Sequence, residues 1–363
     1  MASDTAKNLR KECAARSRRT IRLNSLGAGV SAPKRGMKKI INQPEHVVSE
    51  MLQGIAKAYP ALIYTPGVEV ISRRNQGDQV GLVSGGGSGH EPAHAGYVGA
   101  GMLSAAVSGN VFASPSPDRV LEGIHLANTG KGVLLIIKNY SGDIMNFTMA
   151  QELAEMENIP VRAVVVRDDV AVPDSTFSTG RRGIAGTVFV HKCAGAKAAE
   201  GGSLDEVARV AQKAADNVRS MGFAMTPCIL PGVGKPGFVL AEDEVEIGMG
   251  IHGEPGVERT AMRPSQEIAR ILVDKILADY DFTGGETALM INGLGGTPLM
   301  ELYILENDVQ DYLKEKGIKV YSTFVGNFMT SLEMAGSSVS LLKLDDELKL
   351  LLDAPCDTPA LKR

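Results

Sequence analysis

Three short glycine-bearing strings hold the residues fit for chemistry. The first is Ser84-Gly85-Gly86-Gly87-Ser88-Gly89-His90-Glu91-Pro92. It follows Val80, Leu82 and Val83, which read as a strand. A glycine run beyond a strand lets backbone N–H groups face a small polar ligand or a phosphate. Yet no lysine follows the final glycine, as a phosphate-binding Walker loop requires. Nor does the run match GxGxxG with an acid about 20 residues on. It ends instead on His90, a side chain that exchanges protons near neutral pH. The competing reading is a tight structural turn with an incidental histidine. Three consecutive glycines cost backbone entropy, which weighs against it.

The second string, Lys138-Asn139-Tyr140-Ser141-Gly142-Asp143, follows the apolar run at 133–137. Ligands of parallel sheets bind beyond the carboxyl ends of the strands, where Lys138 and Asp143 would lie. Asp143 there can take a proton from a substrate hydroxyl. The alternative makes Asp143 the N-cap of a helix entered at Ile144 and Lys138 a solvated lysine. The third string, Gly248-Met249-Gly250-Ile251-His252-Gly253-Glu254-Pro255-Gly256, sets one imidazole among small neighbours at a strand's end. Its HGEPG echoes the GHEP of the first string, a hint that two loops face one site. The paired His and Glu suggest a metal, but no third ligand follows in pattern and none is expected. Of the other histidines, His125 and His191 fall within helical stretches and are expected at the surface or the core edge. His46 lies near the start of the body. His94, one helical turn past His90, is expected to line the same pocket at most, without a catalytic role.

The elements that must position these strings alternate. Val47, Val48, Met51, Leu52 and Ile55 recur at helical spacing over 45–58, and Pro60 stops that helix. Short strands are expected around 68–70, 80–83, 104–107, 133–137 and 161–166, with helices near 92–102, 118–128 and 145–157. Such alternation indicates βαβ units. A long helical stretch over 183–220, broken at Gly201-Gly202, follows. The segment 227–237, rich in Pro and Gly, is the linker candidate. Beyond it come strands at 246–250, 287–292, 318–325 and 337–343 and helices at 264–279 and 298–315. The expected fold is two α/β domains, 37–226 and 238–363, with mostly parallel or mixed sheets flanked by helices. Residues 1–36 are expected to be a basic, disordered extension.

Composition narrows the function. A length of 363 residues suits two or three domains. Aromatic residues are only 5% and Trp is absent, which argues against a surface that stacks sugars or single-stranded bases. Nine Lys/Arg against two acids give residues 1–36 a charge of +7, so with −4 overall residues 37–363 carry −11. An acidic body does not suit nucleic-acid binding. The Arg-rich, acid-poor extension has the composition of a transit peptide, but its hydrophobic spacing is too poor for a targeting helix, and Met37 looks like a natural beginning. The four cysteines are scattered without a CxxC pair, which fits a reducing cytoplasm. No apolar run approaches the roughly 18 residues of a membrane helix.

Taken together and in order, the strings resemble the dihydroxyacetone kinase family, and closely its K subunit. The resemblance runs from about residue 37 to 361. It includes SGGGSGHEPAHAGYVGAGML, GVLLIIKNYSGDIMNF, TGRRGIAGTVFVHK, EIGMGIHGEPG, NGLGGTPLMELY and LLDAPCDTPAL. The resemblance implies a phosphotransferase in which a histidine ring nitrogen, here His252, adds to the ketone of dihydroxyacetone to give a hemiaminal. Covalent capture tells a ketone from glycerol where hydroxyl recognition alone would struggle. By the same resemblance Asp143 is the general base, His90 assists it, and Gly87, Ser88, Gly89 and Lys138 contact the substrate. No cofactor or metal is implied on this chain. By the same resemblance ADP or ATP with magnesium is expected on a separate L subunit, recharged from phosphoenolpyruvate through a phosphocarrier, since no helical L region follows the K region in this sequence. A cytoplasmic homodimer is implied, with neither membrane nor nucleic acid as partner. Two other readings stand beside it: a dihydroxyacetone-sensing co-activator without kinase activity, and a stand-alone enzyme that binds phosphate or nucleotide on the glycine run.

Overall fold

The computed structural model describes residues 38–173 and 180–363. The expectations for the basic extension 1–36 and for a start at Met37 lie outside the described residues. Two six-stranded mixed sheets form the frame. The first contains β1 (Leu62–Thr65), β2 (Val70–Arg73), β3 (Gly81–Ser88), β4 (Ala105–Val111), β5 (Val133–Lys138) and β6 (Val161–Val166), in the order β1-β2-β4-β3-β5-β6. Strands β4, β3, β5 and β6 run parallel, while β1 and β2 are antiparallel additions at one side. Every residue of β5 is buried. That is the pattern of a strand covered on both faces, and it explains the unbroken apolar run at 133–137.

The second sheet contains β7 (Val218–Ala224), β8 (Glu244–Ile247), β9 (Glu258–Ala261), β10 (Glu286–Gly293), β11 (Lys319–Gly326) and β12 (Gly336–Leu344), ordered β11-β10-β12-β7-β8-β9. Only β10 and β11 pair in parallel. The helices are α1 (Val47–Ala58), α2 (Pro117–Ala127), α3 (Ser141–Met156), α4 (Thr187–Ala199), α5 (Leu204–Asn217), α6 (Ser265–Asp279), α7 (Leu299–Glu315) and α8 (Asp346–Asp353). The fold class is therefore the expected one: α/β, with two mixed sheets flanked by helices. Among the described residues no helix is long and apolar enough to cross a membrane.

Several local expectations are corrected. Strand β3 does not stop at Val83 but runs through the glycines to Ser88, paired with β4 along Gly85, Gly86 and Gly87. No helix spans 92–102; one turn of 3-10 helix, Ala95–Tyr97, stands there, since Gly96, Gly99 and Gly101 dilute helix propensity. The stretch 183–220 is two helices and a strand: α5 opens on a Ser203–Glu206 capping box, and the chain leaves it at Val218 as β7, hydrogen-bonded to β12. Strands β1 and β9 and helix α8 were not foreseen. His191 is not at the surface or the core edge but fully buried, because α4 is enclosed along nearly its whole length.

Candidate active site

Strand β3 delivers His90 two residues past its end. His90 is fully buried, and its Nδ1 lies 2.8 Å from the Thr330 carbonyl. A carbonyl only accepts, so Nδ1 carries the hydrogen and Nε2 is left for other work. That Nε2 is 3.0 Å from Nε2 of His252. His252 in turn directs Nδ1 at Glu254 Oε1, 2.9 Å away, and donates its backbone N–H to Glu254 Oε2 at 2.9 Å. A side chain at Gly250 would collide with Glu254 Oε2 and with Arg182 Nη1, so glycine there gives the carboxylate its place. Arg182 anchors the same loop by donating to the Gly248 carbonyl and to Asp169, both at 2.8 Å.

The electrostatics separate the two imidazoles. Burial, aided by the charges of His252 and Lys138, holds His90 well below the ordinary histidine range. Burial alone would raise Glu254, but the His252 hydrogen bond and charge, with two backbone N–H groups, outweigh it and hold the carboxyl at about 2. The Nε2–Nε2 contact needs one hydrogen, and with Glu254 ionised that hydrogen belongs on His252. His252 is also the reachable ring, its side chain 19% exposed.

Strand β5 ends on Lys138 and α3 begins three residues later, which brings Asp143 into its first turn. Asp143 does not cap the helix. Its carboxylate accepts from Ser114 Oγ, and its Oδ2 lies 3.4 Å from Lys138 Nζ. Both groups are buried, so Lys138 is not a solvated lysine. Gly86, at φ +148°, faces this pair: a side chain there would run into the Lys138 ammonium and lie 3.3 Å from Asp143 Oδ2.

Two short segments join the pairs into one site. Phe112 stacks on His90 with ring centroids 5.1 Å apart and meets His252 edge-on at 5.2 Å, while Ser114, two residues on, holds Asp143. Tyr140, between Lys138 and Asp143, meets His252 edge-on at 4.6 Å, and its hydroxyl is buried without a hydrogen-bond partner. Of the remaining expected contacts, Gly87 packs against the backbone of Phe112 and Ala113. Ser88 Oγ donates to the Gly109 carbonyl at 2.8 Å, and the Gly89 N–H donates to the Glu91 carboxylate at 3.1 Å. Ser88 and Gly89 line a cavity of about 160 Å³ with Glu91 and Leu332. Sequence reasoning gave no role to Glu254, Ser114, Phe112, Tyr140 or Thr330. Glu254 was legible two residues from His252. Thr330, 240 positions from His90, carried no signal.

Fold and site describe an α/β protein in which a hydrogen-bonded histidine pair and a buried carboxylate converge near strand ends, groups whose chemistry suits proton exchange with a small polar ligand. The Dak1 domain profile matches residues 53–360. The chain belongs to that family, and within the dihydroxyacetone kinases it is of the K-subunit type. It is 52% identical over 328 residues to the PTS-dependent dihydroxyacetone kinase 1, dihydroxyacetone-binding subunit DhaK, of Listeria innocua, covering 89% of this chain and all of that one. The solved dihydroxyacetone kinase of C. freundii superposes with a TM-score of 0.84 at 37% identity, over 90% of this chain and 60% of that one. The solved dihydroxyacetone kinase operon co-activator DhaQ superposes with a TM-score of 0.81 at 42% identity, over 86% of this chain and 96% of that one.

Proposed function

We propose that the chain is the dihydroxyacetone-binding subunit of a dihydroxyacetone kinase and holds the ketone covalently on His252. The observation that carries the reading is the Glu254–His252–His90 line, with hydrogen bonds of 2.9 and 3.0 Å. His252 passes its Nε2 hydrogen to His90 Nε2 as the ketone enters. The freed lone pair forms an N–C bond to the carbonyl carbon, the C=O π pair moves onto oxygen, and His90 returns the proton to that oxygen. The resulting ring cation keeps Nδ1–H against ionised Glu254, so charge and atoms balance. The adduct fixes a terminal hydroxyl, whose proton Asp143 accepts as the phosphoryl group is transferred. Positioning of this kind is a large part of such catalysis.

In this reading the nucleotide, ADP or ATP with magnesium, sits on a separate L subunit, with phosphoenolpyruvate as the ultimate donor through a phosphocarrier. Lys138, Gly87, Ser88 and Gly89 contact the substrate, and the chain works as a cytoplasmic homodimer. The segment 227–237 marks the join of two domains, 37–226 and 238–363, with β7 contributed across it to the second sheet. The likeness to the DhaQ co-activator over 96% of its length supports a second reading, a dihydroxyacetone sensor without kinase activity. Intact mass spectrometry of the chain with dihydroxyacetone tests the adduct: one added substrate mass is expected, and the same signal in His252→Ala would overturn the assignment. Transfer of phosphate when an L subunit is added decides between kinase and sensor.

A further inference from the structure

Behind the site, a second pair of histidines runs away from Lys138. Lys138 Nζ has three neighbours: the Gly85 carbonyl at 3.1 Å, His94 Nε2 at 3.1 Å and Asp143 Oδ2 at 3.4 Å. His94 Nδ1 lies 3.0 Å from His191 Nε2 and 3.4 Å from Ser84 Oγ. The hydrogen directions follow from an inventory of donors. Ser84 spends its only hydrogen on the Ile136 carbonyl at 2.7 Å, so toward His94 it can only accept, and His94 must carry its hydrogen on Nδ1. His94 Nε2 is then bare and accepts from Lys138. The Gly85 carbonyl and the Asp143 carboxylate are acceptors too, so before substrate binds all three hydrogens of an ammonium have acceptors. His191 accepts from His94 at Nε2, which leaves its hydrogen on Nδ1, a buried atom without a partner. Burial, with the nearby Lys138 charge, holds His94 well below the ordinary range and His191 at about 3, so both rings are neutral.

We propose that His94 and His191 are positioning residues of the reaction: they draw one Lys138 hydrogen away from Asp143 and so preserve Asp143 as a base. The inference rests on the functional reading above and goes beyond it in assigning two residues that act through Lys138. The ammonium sits at one edge of Asp143 and Ser114 at the other. Without an acceptor at His94, the third Lys138 hydrogen has only Asp143 to turn to. The ion pair closes, and the carboxylate loses the lone pair that would take the substrate's proton. His191 acts one bond further back. It keeps the His94 hydrogen on Nδ1, because the other tautomer would set N–H against N–H at Lys138. Ser84 supplies a weaker second acceptor for the same hydrogen.

The arrangement orders the variants. His94→Phe keeps the ring shape but removes the acceptor, and is expected to lower turnover by up to about 10²-fold, with dihydroxyacetone occupancy by intact mass unchanged. His94→Gln sets an amide oxygen near the former Nε2 and is expected to restore most of the loss. His191→Phe is expected to fall between, since Ser84 remains. The second readout is nitrogen NMR of the labelled full-length chain, which reports the His94 tautomer without any assay: hydrogen on Nδ1 is expected. Hydrogen on His94 Nε2, or wild-type turnover in His94→Phe, would overturn the proposal. Absence of turnover in the wild type with an L subunit present would count against the kinase reading alone, and the tautomer would still decide the hydrogen-bond chain.

Discussion

Replacing His191 by phenylalanine is expected to flatten the acid side of the stability curve. His191 is fully buried, and burial, followed by the Lys138 charge, lowers its imidazole from 6.5 to about 3. The folded chain therefore stays neutral at this position while the unfolded chain takes up a proton below its ordinary value. With the unfolded state binding more protons, stability is whole above about pH 6.5 and falls as the pH drops toward about 3. The slope is about 1.4 kcal/mol per pH unit for one group, which amounts to about 2 kcal/mol lost by about pH 5. That is a large share of a total that is commonly about 5–15 kcal/mol. His90 and His94 are pushed in the same direction. Asp169, raised by burial to about 6, opposes them below that pH by binding its proton first in the folded state. A single substitution isolates one contribution from this mixture. The assay is urea unfolding followed by circular dichroism, near pH 8 and near pH 5, on the full chain and on His191→Phe. The variant is expected to be less stable near pH 8, having lost the acceptor for His94, but to lose about 2 kcal/mol less on acidification. Parallel pH dependence in the two proteins would refute the reasoning, since it would mean His191 takes up its proton equally in both states.

Asp143→Asn is expected to reduce phosphoryl transfer by about 10²–10⁴-fold while the mass of the dihydroxyacetone adduct is retained, and loss of the adduct there would make that carboxylate a structural group instead; His90→Ala, which removes the proton acceptor beside His252, is expected to slow adduct formation and transfer together, and wild-type adduct formation in it would remove His90 from that step. Gly86→Ala brings a side chain against the Lys138 ammonium at a φ of +148°, and a lowered unfolding midpoint together with lost turnover is expected, whereas a wild-type melt and rate would remove the packing argument. The chain alone, with magnesium and ATP, is expected to release no dihydroxyacetone phosphate in a coupled assay until an L subunit is added; robust turnover without it would put the nucleotide on this polypeptide.

Much of the frame was legible because its elements carry strong local patterns. The buried run of β5, the strands β6 and β10 and the helices α6 and α7 stand close to where periodicity put them, since a strand covered on both faces and a helix with one apolar face each leave a distinctive spacing. The three reactive strings were legible for another reason: His90, Asp143 and His252 each sit beside small residues at the edge of an element, and that is visible in one dimension. Tertiary structure decided the rest. Glycine has no intrinsic preference for a strand, so only pairing with β4 makes Gly85, Gly86 and Gly87 part of β3. Val218–Ala224 follows a helix without a break in composition, and it is the ladder with β12 that turns it into β7. The sequence of α4 shows no single apolar face and is buried along nearly its whole length, so nothing local says which way His191 points. The contacts that make chemistry, His90 to His252 across 162 positions and His94 to His191 across 97, depend on where separate strands and helices come to rest. Hydrogen-bond partners so distant in the chain leave no local spacing to read, and only the packed fold brings them to 3 Å.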